Sequence, residues 1–183
     1  MVITLIGYRG SGKSTVATPL AAKFGLKPVD ADTEIEAHMG RSIASVFEDD
    51  GEPAFRMVER DVMATLLGRD GVVIAAGGGA VLDDDTRTLA REKGPVVYLR
   101  ADGETLAARI GGDAATASRR PALAGGADPV AEVDTVLAER TPVYEAAATV
   151  VVDVDGRDVP DIVAEIAAKI WRRPAGYAAG AAE

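Results

Sequence analysis

The chain has 183 residues, 48% of them hydrophobic and 27% charged, a size and balance that suit one globular domain burying roughly 70% of its unfolded surface. Its 29 acidic residues against 20 basic ones give a formal net charge of -9, which argues against a nucleic acid partner and requires that any anionic ligand be captured by a local cluster of Arg, Lys and backbone N–H groups. With no cysteine, the chain has no disulfide, thiolate metal site or cysteine nucleophile.

The apolar run Val2-Ile3-Thr4-Leu5-Ile6 predicts a first strand. It is too short for a signal peptide or a membrane span and has no basic leader, so a cytoplasmic chain without a membrane partner is expected. A glycine-rich segment over 7–14 follows, then a helical pattern over 14–24 that Gly25 would terminate. A short strand over 27–30 precedes a helix over 32–39. The next helix is predicted over 52–67, with Pro53 at its first position and Phe55, Val58, Val62 and Leu66 at helical spacing. Strands over 72–75, 96–99 and 149–152 are apolar throughout, as in a sheet covered on both faces. Helices over 84–92, 104–110, 129–145 and 159–171 complete an alternation that indicates an α/β doubly wound fold with a mostly parallel sheet. Residues 111–128, rich in glycine and carrying Arg119-Arg120, read as a long mobile loop, either a lid or a surface insertion. Residues 173–183 read as a disordered tail beyond a single domain over 1–172.

Gly7-Tyr8-Arg9-Gly10-Ser11-Gly12-Lys13-Ser14 matches G-x-x-x-x-G-K-[ST] between a strand and a helix. Glycines let the backbone curl so that successive N–H groups and the helix N-terminus point at phosphate oxygens. Lys13 supplies charge to the β- and γ-phosphates, Ser14 a hydroxyl for Mg²⁺, and Thr15 a reach to the α-phosphate. The motif implies a nucleotide triphosphate with Mg²⁺ and leaves the reaction open.

In Asp30-Ala31-Asp32, alternation along an extended segment would send both carboxylates to one side, one organising Mg²⁺ and one facing an acceptor hydroxyl. The alternative is that Asp32 caps the following helix and Asp30 is a turn residue. Arg56 reads either as a ligand cation or as a solvated helix charge. The triplet Gly77-Gly78-Gly79, directly after a strand, permits close backbone approach to a ligand at the carboxyl edge of the sheet.

The phosphate loop, the Asp30-Ala31-Asp32 pair, Gly40-Arg41-Ser42-Ile43 leading to Gly51-Glu52 and Phe55-Arg56, the triple glycine, Arg120-Pro121-Leu123 and Arg140-x-Pro142-x-Tyr144 together resemble the shikimate kinases, in order from about residue 2 to 170. The resemblance implies a three-layer α/β/α P-loop kinase fold with a five-stranded parallel sheet and a mobile lid over about 111–128. It implies transfer of the γ-phosphoryl of ATP to the 3-hydroxyl of shikimate in aromatic amino acid biosynthesis. By resemblance, Asp32 faces the reacting hydroxyl, with Lys13 and Arg120 as the other catalytic groups. Asp30 and Ser14 take the Mg²⁺ side. Arg56 and Arg140 hold the substrate carboxylate, and Gly77, Gly78 and Gly79 meet the substrate through their backbone. Gly10, Ser11, Gly12, Lys13, Ser14, Thr15 and Arg120 bind the phosphates, while Arg109 and Arg157 flank the adenine. Arg109 also reads as a surface-helix charge. A monomer is expected.

Other salient residues read as structural: His38 exposed, Tyr98 and Trp171 packed, and Asp83-Asp84-Asp85 as helix capping and dipole compensation. A gluconate-type or nucleoside monophosphate kinase of the same fold is the rival enzyme, and a nucleotide-dependent switch the non-enzymatic alternative.

Overall fold

The computed structural model of the chain describes residues 1–112 and 129–172. Strands β1 (Val2–Ile6), β2 (Lys27–Asp30), β3 (Val72–Ala75), β4 (Val96–Arg100) and β5 (Val150–Asp153) form one parallel sheet in the order β2-β3-β1-β4-β5. Strands β2 and β3 lie on one side of β1 and β4 and β5 on the other, so the loop leaving β1 opens where the winding reverses. Pro28 is accommodated because β2 is an edge strand, half exposed, where a missing N–H disturbs no central ladder.

The helices in chain order are α1 (Lys13–Phe24), α2 (Ala31–Met39), α3 (Ile43–Asp49), α4 (Gly51–Leu67), α5 (Asp84–Lys93), α6 (Gly103–Gly112), α7 (Pro129–Ala147) and α8 (Val159–Trp171). A single 3₁₀ turn, Ala80–Leu82, precedes α5. Alternate side chains of β1 feed two cores: Val2 and Ile6 join Ile35, Phe55, Met63 and Leu66 on one face, while Ile3 and Leu5 join Leu20, Val97, Ile162 and Ile166 on the other. Each such fully buried aliphatic or aromatic side chain contributes about 1.5–3 kcal/mol. The expected three-layer α/β/α arrangement is therefore present, and the lid over 113–128 and the tail over 173–183 lie outside the described residues.

Three local expectations are corrected. Pro53 is the third residue of α4, because Gly51, with φ 79, turns the chain directly from α3 into α4. Helix α3 was not predicted: at seven residues it is too short to show a period, and its start is set by Ser42, whose hydroxyl accepts the Ser45 N–H. Trp171 is 64% exposed and touches the fold chiefly through Phe24, at 5.3 Å between ring centroids. Tyr98 is buried, His38 is exposed, and the Asp83 carboxylate caps α5 through the Thr86 N–H at 2.8 Å. That bond holds the Asp83 carboxyl below its ordinary value.

Candidate active site

Helix α1 starts at Gly12, whose left-handed backbone (φ 88) turns the loop into the helix. Helices α2, α3, α5 and α8 are capped by the side chains of Asp30, Ser42, Asp83 and Asp158. Among the described residues α1 has no side-chain cap and no acid in its first turn, so its leading N–H groups and positive dipole end face the loop. The Lys13 ammonium crosses back over this loop, donating to the carbonyls of Gly7 and Tyr8, both at 2.9 Å. The resulting concavity is built to take anionic oxygen.

A pocket of about 590 Å³ opens above it, within the usual range for a small-molecule site. Gly10, Ser11, Gly12, Lys13, Ser14 and Thr15 line its floor, Asp30, Asp32 and Gly78 one wall, and Arg109 and Arg157 the other. Asp30 has two duties. One carboxylate oxygen accepts the Thr33 N–H at 3.1 Å and caps α2, and the other accepts the Ser14 hydroxyl at 2.5 Å. Asp32 lies in the first turn of α2. The two acids thus share the pocket because one ends a strand and the other begins a helix, not through strand alternation. Asp30, rather than Asp32, is the cap.

On the opposite wall the Arg109 guanidinium donates to Gly10 O at 3.4 Å and Val154 O at 3.1 Å. Arg157 donates to Asp153 O at 3.0 Å and pairs with Glu165 at 2.5 Å. Both flat cations are held beside the pocket mouth, and Ile110, Val159 and Ile162 supply apolar surface between them.

Arg56 and Gly79 line an adjoining hollow of about 320 Å³ rather than the main pocket. Arg56 is gripped by buried Glu59 at 2.5 Å and by Glu52 at 2.8 Å. Burial alone would lower the Arg56 guanidinium, but the charges and hydrogen bonds of Glu59 and Glu52 hold it above its ordinary value. Gly77 is buried and its carbonyl accepts the Ala80 N–H at 3.1 Å, which begins the 3₁₀ turn. Arg140 lines neither hollow; its Cζ lies 5.7 Å from the centre of the Tyr8 ring. Arg120 lies outside the described residues.

Residues that sequence reasoning gave no role also meet here. Arg9 occupies an unspecified position of the phosphate-loop motif, lines the main pocket and lies 6.0 Å from the Tyr8 ring. The Tyr144 hydroxyl donates to Gly78 O at 2.5 Å. Its signal was its place in Arg140-x-Pro142-x-Tyr144, where helical spacing puts it one turn from Arg140.

A phosphate cradle, a hydroxyl beside a carboxylate, and a second carboxylate in one pocket suit phosphoryl transfer from a nucleotide to a small alcohol. Comparison with known proteins agrees. The family model described as "Shikimate kinase" matches residues 9–171. A protein from Symbiobacterium thermophilum named shikimate kinase is 42% identical over 94% of this chain and 98% of its own. One of the same name from Caulobacter vibrioides is 46% identical over 88% and 77%. Among solved structures, shikimate kinase from Acinetobacter baumannii in complex with shikimate superposes with a TM-score of 0.85 at 32% identity, covering 93% of this chain and 92% of that one.

Proposed function

The chain belongs to the shikimate kinase family and is an ATP-dependent kinase of shikimate, and we propose how its own residues divide the transfer of the γ-phosphoryl group to the 3-hydroxyl. The observation that carries this reading is the single pocket that holds Lys13 and Ser14 together with Asp32. The phosphate-binding groups and the proposed proton acceptor then share one cavity, while Arg56 lines a second hollow.

In this reading the α1 N-terminus and Lys13 bind the β- and γ-phosphates and hold ATP in line. Asp32 accepts the hydrogen bond of the attacking hydroxyl and takes its proton. Arg56 and Arg140 bind the shikimate carboxylate, a planar anion that suits a guanidinium fork. Gly78 and its neighbours Gly77 and Gly79 shape the backbone against the ring. Arg109 and Arg157 flank the adenine. Arg120 is assigned, by resemblance, to charge that spreads over the transferred group. The enzyme acts as a cytoplasmic monomer. Among the described residues no helix is long and apolar enough to cross a membrane.

The Ser14 hydroxyl and the Asp30 oxygen that it bonds are hard donors that fit Mg²⁺, and among the described residues no cluster of three or more acidic, His or Cys side chains competes as a metal site. One carboxylate and one hydroxyl, with phosphate oxygens and water, make the open coordination that Mg²⁺ prefers. Bound there, Mg²⁺ would neutralise charge on the β- and γ-phosphates.

Phosphorus NMR of the products formed from ATP, Mg²⁺ and shikimate tests the reading. A monoester at the 3-hydroxyl, formed in step with ADP, is expected. ADP with free phosphate alone would refute it.

A further inference from the structure

Tyr144 has no part in the chemistry above, yet it is fully buried on the helix that carries Arg140. Its hydroxyl donates to the carbonyl of Gly78, 66 residues away in sequence. Arg140 stands one turn earlier on the same helix, α7. The ring is fixed by Tyr98, 5.1 Å between centroids, and the Arg140 guanidinium rests on Tyr8 at 5.7 Å.

A residue that only filled the core here would need the ring and not the hydroxyl. Burying a hydroxyl is unfavourable unless it is bonded, and this one is bonded to the backbone of the glycine triplet from the helix that carries Arg140. We propose that Tyr144 is a positioning residue for the acceptor: it ties the Gly78 carbonyl to the helix that carries Arg140, so that the two keep a fixed spacing across the shikimate site. This rests on the reading that Gly78 and Arg140 contact shikimate.

The test compares wild type, Tyr144→Phe, Arg140→Ala, the double variant and Tyr98→Phe by steady-state kinetics. Tyr144→Phe keeps the ring and should raise the shikimate KM about tenfold, with the ATP KM and kcat within about twofold, since the bond that fixes the Gly78 carbonyl to α7 is lost. In the Arg140→Ala background the same change should add less than about threefold, because the group it positions is gone. Tyr98→Phe deletes the neighbouring buried hydroxyl and should leave the shikimate KM unchanged. KM does not depend on how much enzyme is folded, so a wild-type KM in Tyr144→Phe overturns the proposal whatever its melting temperature. Equal effects with and without Arg140, or an equal rise in Tyr98→Phe, overturn it too. Wild type that turns over normally in those cases leaves the functional reading standing, whereas wild type that ignores shikimate removes both.

Discussion

The guanidinium of Arg56 lies so close against Gly79 that a Cβ at that position would sit 2.7 Å from Arg56 Cζ, and Glu59 and Glu52 leave the cation little room to retreat. The glycine is required by this approach and not by its backbone, which is ordinary. Gly79→Ala should therefore push Arg56 out of place and lower kcat/KM for shikimate by roughly 10²-fold, as ångström-scale misplacement does, while the ATP KM holds. Kinetics with shikimate as the varied substrate check this; an unchanged value would separate Arg56 from acceptor binding.

Asp32→Asn keeps the size of the side chain and the start of α2 but removes the proton acceptor. Turnover should fall by about 10²–10⁴-fold with ATP affinity nearly intact. Calorimetric titration of ATP beside a turnover assay distinguishes the outcomes, and near-normal turnover would exclude Asp32 from proton transfer.

Asp30 serves both α2 and the proposed Mg²⁺ site, and Asp30→Asn divides the two roles. Asparagine caps helices as well as aspartate, so thermal stability should stay within about 0.5 kcal/mol of wild type. The Mg²⁺ concentration for half-maximal rate should rise about tenfold or more as the anionic ligand is lost. A rate curve against Mg²⁺ that matches wild type would place the metal elsewhere.

Alkaline stability is expected to depend on Tyr144. Burial pushes its phenol up to about 12, above the ordinary tyrosine value of about 10. A group whose folded value is raised contributes stability that is complete below its unfolded value, so the contribution is present below about pH 10 and is lost as pH rises from there to about 12. A rise from about 10 to about 12 corresponds to about 3 kcal/mol at most. Melting curves between pH 9 and 11 should show wild type losing stability faster than Tyr144→Phe. Tyr98, whose phenol burial also raises, keeps part of the dependence in the variant. Parallel curves would assign the alkaline loss to other groups.

Four of the five strands were legible as short, mainly apolar runs, β2 (Lys-Pro-Val-Asp) being the exception, and all were placed within one residue of their bounds. The phosphate loop was equally legible, since its chemistry is local to eight residues. What eluded the sequence is what distance hides. Glu59 reads as one more surface acid on a polar helix, but it is 2% exposed and grips Arg56. The Tyr144 to Gly78 bond joins segments that only the packing of α7 against the 3₁₀ turn brings together. Trp171 was expected to be packed because it is large, yet it ends the last described helix, where the fold offers little beyond Phe24 to cover it.

The most direct test of the account is kcat/KM for the purified protein with ATP and Mg²⁺ against shikimate, gluconate and nucleoside monophosphates. Shikimate should be preferred by several orders of magnitude, because Asp32 and two arginines suit a hydroxy-acid and no base-recognition feature was found in the sequence. Phosphorylation of gluconate or a nucleotide with shikimate left untouched would contradict it.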